Sequence, residues 1–63
     1  MQTVILIEDM ACEHCVAKID HALAETSIRY TVDLPRKAVI VNGTQDDVMK
    51  ARRIIDEIGF TIK

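Results

Sequence analysis

The order of two kinds of apolar pattern along the chain restricts its fold more than any other feature. Four runs have the composition or alternation of β-strands, and two segments have apolar residues at helical spacing. The strand-like runs are residues 3–7, 27–34, 38–41 and 60–63. The helical segments extend from residue 14 to about residue 26 and from residue 44 to residue 58. The predicted order of elements is therefore β-α-β-β-α-β.

Each helical segment carries one apolar stripe, which predicts a helix packed on one side. The two stripes are Cys15, Ile19, Ala22 and Leu23, then Val48, Ala51, Ile55 and Ile58. Thr44 can cap the second helix, because its hydroxyl can accept a backbone hydrogen bond and acidic residues follow it. Gly59 suits the position just after a helix end. We therefore expect the second helix to lie between Thr44 and Gly59.

The strand-like runs predict how the sheet is buried. Consecutive apolar residues in the first run predict a strand that is covered on at least one face and central in its sheet. The second run alternates between apolar and polar residues, which predicts a half-buried strand. Pro35 favours a turn between the second and third runs, so we expect these two strands to form a hairpin.

This element order is that of a split βαβ, or ferredoxin-like, arrangement. We predict an α+β ferredoxin-like βαββαβ sandwich, with a four-stranded antiparallel sheet and two helices on one face. Right-handed crossovers would bring the ends of strands one and four together and place the start of the first helix near Phe60. The 63 residues leave room for a single domain, residues 1–63, with a small core.

Charge and hydropathy argue against several classes of function. The net charge is −2 at neutral pH, whereas nucleic-acid binding requires a basic face. No apolar run approaches the ~18 residues of a membrane-spanning helix, so we expect no membrane insertion. The first residues lack the features of a signal peptide, which points to the cytoplasm. So small a chain has no room for a large active-site cavity, and we do not expect an enzyme.

Cys12 and Cys15 are the only cysteines of the chain. Cys12 falls in the loop after the first strand and Cys15 in the first turn of the first helix, so both sulfurs can face one point. The start of a helix has unpaired N–H groups and partial positive charge, which favour thiolate over thiol. Thiolate is both a metal ligand and a nucleophile, so this position alone allows a metal site or a redox pair.

The rest of the chain favours a metal site. A thioredoxin-like thiol–disulfide protein needs about 100 residues, which is typical of a whole domain and more than this chain has. A structural zinc site needs four ligands. The two cysteines with His14 and His21 give that number by count, but not by their expected positions. His14 should point away from Cys15, and His21 lies nearly two turns further along the helix. Two soft thiolates suit Cu(I), which tolerates low coordination.

The stretch DMACEHC, residues 9–15, resembles the metal-binding loop of the heavy-metal-associated domain family, whose motif is Met-x-Cys-x-x-Cys. This family includes small copper chaperones and the N-terminal domains of copper-transporting P-type ATPases. The resemblance covers nearly the whole chain, because it includes the loop, the element order and the stretch IDEIGF at residues 55–60. It implies the ferredoxin-like fold that the patterns also predict.

The resemblance implies that Cys12 and Cys15 bind Cu(I). It implies that Met10 packs under the loop without binding the metal, and that Phe60 shields the site. The implied function is that of a metallochaperone in copper homeostasis, which hands Cu(I) to a copper-transporting P-type ATPase or a copper-responsive regulator by ligand exchange. Such a protein would be a monomer when free of metal, and its exposed thiolates could share a metal between two chains.

Two positions of the loop depart from the usual motif, and together with Phe60 they leave alternatives open. Asp9 stands where the family usually has glycine, and its carboxylate keeps a divalent ion such as Zn(II) open as the cargo. Ala11 stands where zinc-selective relatives often have a ligating aspartate, which favours copper over zinc or cadmium, whereas Hg(II) has a similar preference for thiolates. Phe60 is common in ATPase domains, and bacterial chaperones often have tyrosine there, so a free chaperone and a transporter domain both remain open.

Overall fold

The computed structural model describes residues 2–63, in which three β-strands and two α-helices are found. Their bounds are β1 Gln2–Leu6, α1 Glu13–Ala24, β2 Tyr30–Asp33, β3 Ala38–Asn42 and α2 Gln45–Glu57. The helices, the hairpin and the antiparallel sheet agree with the predicted α+β class. No helix within the described residues is both long and apolar enough to cross a bilayer.

The order of strands in the sheet is β1-β3-β2, with both pairings antiparallel. The prediction that the first strand is central was therefore wrong, because β3 occupies the centre. The prediction that the apolar run of β1 is covered on at least one face is confirmed, because one of its faces is buried. Ile5 is buried, whereas the neighbouring side chains of Val4 and Leu6 are 57% and 45% exposed. Successive side chains of a strand point to opposite faces, so the outer face of this sheet carries apolar side chains.

The predicted fourth strand, residues 60–63, is reduced to a single bridge in the described chain. Ile62 forms an isolated antiparallel bridge with Ile7, just beyond the end of β1. The N–H of Phe60 donates instead to the carbonyl of Ile55 at the end of α2 (3.2 Å), so pairing with β1 can start only at the next residue. The prediction of four strands was wrong in this respect, but the predicted meeting of the two strand ends is confirmed.

Both ends of α2 are formed as the sequence predicts. The Thr44 hydroxyl accepts a hydrogen bond from the Asp47 N–H (3.2 Å), and the Asp47 carboxylate accepts one from the Thr44 N–H (3.1 Å). Gly59 has a φ of +100°, a conformation that favours glycine. With the Gly59 N–H donating to Asp56 and the Phe60 N–H to Ile55, the helix ends in a Schellman motif. This turn directs the chain back towards the core at Phe60.

The core lies between the helices and one face of the sheet. It takes Ile19 and Leu23 from α1 and Ala51 and Ile55 from α2, and all four are fully buried. The strands contribute Ile5, Val39 and Val41, and the loops contribute Ile7, Met10, Ile28 and Phe60. Of the predicted stripes, only Ile58 ends up exposed, at 37%. Two loop residues, Met10 and Phe60, thus belong to the same core as the helices.

Tyr30 connects the sheet to α1 through a contact that the sequence patterns did not predict. Its hydroxyl donates to the carboxylate of Asp20 (2.6 Å) and also lies 3.0 Å from the Asp20 carbonyl oxygen. The hydrogen bond to Asp20 raises the pKa of Tyr30, and partial burial adds to this effect. The bond therefore stabilises the fold only while the tyrosine is protonated.

Replacing Tyr30 by phenylalanine is expected to lower the free energy of unfolding by about 1 kcal/mol near neutral pH, because one hydrogen bond is lost. The pKa of Tyr30 is higher in the folded chain, so this stabilisation is fully present below the ordinary tyrosine pKa of about 10. It disappears as the pH rises through the higher pKa of the folded state. Urea unfolding of both proteins across this range should show their stabilities converging in alkali. A constant difference at every pH would contradict the assignment.

Candidate metal-binding site

Residues 8–12 connect the sheet to α1 and are called here the cysteine loop. The side chain of Met10 anchors the middle of this loop, since it is fully buried in the same core cluster as Phe60. Cys15 packs against the edge of that cluster. The implied position of Met10 under the loop is therefore confirmed.

Hydrogen bonds to Thr61 attach the start of the cysteine loop to the C-terminal segment, residues 60–63. The N–H of Glu8 donates to the Thr61 carbonyl (2.9 Å). In the opposite direction, the Thr61 N–H donates to Oδ1 of the Asp9 carboxylate (2.9 Å). Sequence reasoning placed Asp9 near the site but missed this contact, which joins residues 52 positions apart. No local pattern could have indicated it.

Cys12 and Cys15 are brought together by the first turn of α1. Cys12 is the N-cap residue, with extended backbone angles (φ −148°, ψ 166°). Its carbonyl accepts hydrogen bonds from the N–H groups of Cys15 (3.1 Å) and Val16 (3.2 Å). The two Sγ atoms are 2.9 Å apart. Cys12 is exposed and Cys15 half-buried, and both are free thiols, so the pair opens to solvent from the loop side.

The pKa of the Cys15 thiol is lowered, first by the hydrogen bond from the Cys12 thiol and then by backbone hydrogen bonding at Ala11. Partial burial opposes these effects, and the positive charge of Lys18 adds a smaller lowering. The arrangement therefore favours the thiolate form of Cys15, which is the form that binds metals and attacks electrophiles.

Neither histidine joins the two sulfurs. His14 is exposed on the first turn of α1, and Nε2 of His21 lies 3.8 Å from the carboxylate of Glu25 on the outer side of the helix. Across residues 2–63, no three or more His, Cys, Asp or Glu side chains come together as a metal site. The donor atoms that the structure does bring together are the two sulfurs.

Phe60 belongs to the core cluster against which Cys15 packs. It is 9% exposed and shares the core cluster with Met10. The next residue, Thr61, carries both hydrogen bonds to the loop. Phe60 thus supports the loop from within the core, and the implied shielding of the site by Phe60 stays a prediction.

The sequence model of the heavy-metal-associated domain matches residues 4–61. The chain belongs to this family. The heavy metal binding protein TM0320 from Thermotoga maritima, solved by NMR, is similar to it over 100% of this chain and 92% of the other. The two share 31% sequence identity, with a TM-score of 0.72.

Two further solved structures have the fold of this heavy-metal-associated domain. The CopZ metallochaperone superposes with a TM-score of 0.82 at 22% identity, and the alignment covers 100% of both chains. Apo-CopP from Helicobacter pylori gives a TM-score of 0.75 at 23% identity, again with full coverage of both chains. No curated protein sequence matches the chain.

Proposed function

We propose that this heavy-metal-associated domain carries Cu(I) on the thiolates of Cys12 and Cys15 and hands it to a partner by ligand exchange. The observation that carries the proposal is the pair of sulfur atoms, 2.9 Å apart at an open helix start. The similarity to the CopZ metallochaperone over the whole length of both chains supports it.

The chemistry of the donor atoms favours Cu(I) over harder ions. Thiolates are soft ligands that select Cu(I), whereas divalent zinc usually takes four ligands in a structural site. Ala11 offers no side-chain oxygen, and one oxygen of Asp9 is engaged by the Thr61 N–H. Hg(II) shares the preference for thiolates, so it remains the nearest alternative cargo.

Transfer would follow from the exposure of Cys12. A partner's thiolate can approach the ion from the open side, bind it while both cysteines still hold it, and then replace them one at a time. Each cysteine that leaves the metal can take up a proton, and the partner's thiols lose theirs on binding. No covalent bond is made or broken in a substrate, so the domain would act as a carrier rather than an enzyme.

The direction of transfer would depend on the relative affinities of the two proteins for Cu(I). The partner classes that this chemistry suits are a copper-transporting P-type ATPase and a copper-responsive regulator, which would be met in the cytoplasm. The metal-free domain would act as a monomer.

A competition titration tests the cargo. The reduced protein should take up one Cu(I) per chain against a chelator of known affinity, and excess Zn(II) should not displace the copper. Preferential retention of Zn(II) would contradict Cu(I) as the cargo and indicate Zn(II) instead. Catalytic reduction of insulin by the metal-free dithiol would instead favour a thiol–disulfide function.

A further inference from the structure

The side chain of Asp9 is turned towards the C-terminal segment. Its Oδ1 accepts the hydrogen bond from the Thr61 N–H at 2.9 Å, while the backbone carbonyl of Asp9 lies 4.0 Å from Sγ of Cys15. Asp9 therefore contacts the C-terminal segment through its carboxylate and the cysteine pair through its backbone. A residue without a side-chain acceptor, such as glycine, would leave out the first of these contacts.

Besides the contact of the Asp9 carbonyl with Cys15, three attachments among residues 2–63 hold the cysteine loop before it reaches Cys12. The Glu8 N–H bonds to Thr61, the Asp9 carboxylate bonds to Thr61, and the Met10 side chain is fully buried. Of these, the Asp9 contact is the only one made by a polar side chain. It joins the Asp9 side chain to the backbone of the C-terminal segment.

The two cysteines depend on these attachments to different degrees. Cys15 lies within α1, whose hydrogen bonds hold its backbone. Cys12 is the N-cap residue, and its backbone is held by the helix on one side and by the loop on the other. Without the Asp9 contact, the buried Met10 side chain would be the one side-chain anchor left in the segment that leads to Cys12, whereas the helix would still hold the backbone of Cys15.

We propose that Asp9 is a positioning residue, which holds the cysteine loop against the C-terminal segment and thereby slows the release of Cu(I). The inference rests on the proposed function. Binding is tighter when fewer groups must be ordered on binding, so a loop that is already fixed should retain the metal longer. Asp9 acts by holding the loop in place and does not bind the metal, since its carboxylate accepts a hydrogen bond from Thr61 and does not contact the sulfurs.

Three variants separate this role from a simple effect of charge. Asp9→Ala removes the carboxylate and the contact. Asp9→Asn removes the charge but keeps an amide oxygen that can accept from the Thr61 N–H. Glu8→Ala removes the same charge from the neighbouring exposed position, where the side chain takes part in none of the hydrogen bonds or ion pairs found among residues 2–63.

The experiment measures the rate at which Cu(I) passes from each loaded protein to excess bathocuproine disulfonate. Asp9→Ala should speed this transfer about fivefold, which corresponds to about 1 kcal/mol, the usual net worth of one hydrogen bond. Asp9→Asn and Glu8→Ala should stay within about twofold of the parent. Amide exchange in the metal-free proteins should also show a faster Thr61 N–H in Asp9→Ala alone.

The outcomes are distinct. Equal rates for Asp9→Ala and the parent would overturn the positioning role, and so would equal acceleration by Asp9→Ala and Glu8→Ala, because charge alone would then explain the effect. An unchanged Thr61 exchange rate in Asp9→Ala would show that the contact is not formed in solution. A parent protein that takes up no Cu(I) would instead contradict the proposed function itself, whatever the exchange rates show.

Discussion

Replacing either Cys12 or Cys15 by serine is expected to abolish tight Cu(I) binding. Each substitution leaves one thiolate, and a hydroxyl is a poor ligand for a soft ion. Changes in the outer shell of a metal site commonly cost 10–100-fold in affinity, so loss of one of two ligands should cost more than about 100-fold. Chelator competition on the reduced proteins measures this directly, and a variant that binds as tightly as the parent would refute the site.

The cysteine variants should remain folded, so that a loss of Cu(I) binding can be attributed to the missing ligand. Cys12 is the N-cap of α1 and forms no side-chain capping bond, whereas serine is among the residues preferred at that position. The Cys12→Ser variant should therefore unfold at a urea concentration at least as high as that of the metal-free parent. Its free energy of unfolding should be higher by up to about 1 kcal/mol. A drop in stability would mean that the Cys12 thiol has a structural role.

His14 supplies the matched control, because it stands between the two cysteines in the sequence and is exposed. His14→Ala should bind Cu(I) within a few-fold of the parent. A loss comparable to that of the cysteine variants would make His14 a third ligand.

Replacing Met10 by alanine should have the largest effect on the fold itself. The side chain is fully buried in the core beneath the cysteine loop, and truncation of a buried methionine costs about 2–5 kcal/mol. A domain of 63 residues has a total stability of roughly 3–9 kcal/mol. Urea unfolding of the metal-free variant should therefore show a large loss in the free energy of unfolding. If the stability of the parent lies near the lower end of this range, the variant should be partly unfolded even without urea.

Two other methionine variants separate packing from metal binding. Met49 lies on α2 and is 63% exposed, so Met49→Ala should change the stability by no more than about 0.5 kcal/mol. Met10→Leu nearly conserves volume and should cost less than about 1.5 kcal/mol. The same Met10→Leu variant should also bind Cu(I) like the parent. A strong loss of copper affinity in a well-folded Met10→Leu protein would make the thioether a ligand.

Local patterns predicted those parts of the fold that depend on residues close in sequence. Thr44 with Asp47 and Gly59 with Phe60 form complete helix ends within a few residues, so their chemistry can be recognised from the sequence. The spacing of Cys12 and Cys15 likewise brings two sulfurs together through one turn of helix. These predictions needed no knowledge of which strand lies beside which.

The predictions that were wrong or missing depend on contacts between distant segments. The position of β1 at the side of the sheet follows from pairing with β3, and an apolar run cannot report how many neighbours a strand has. The short C-terminal pairing follows from the use of the Phe60 N–H by α2. The bond from Tyr30 to Asp20 joins the sheet to α1, and the bond from Thr61 to Asp9 joins the C-terminal segment to the cysteine loop, so no periodicity indicates them.

The hydrogen bond from the Lys63 N–H to the Leu6 carbonyl (2.8 Å) decides where foreign sequence can be joined to this domain. It holds Lys63 beside the end of β1, two residues before the cysteine loop begins. The C-terminal segment runs antiparallel to β1, with Thr61 beside Glu8 and Lys63 beside Leu6, so a tag attached after Lys63 would be directed away from the cysteine loop. Gln2 lies at the other end of β1, about 13 Å away at the usual rise of a strand. An affinity tag for transfer assays can therefore be joined before Gln2 or after Lys63, because both positions lead away from the thiols.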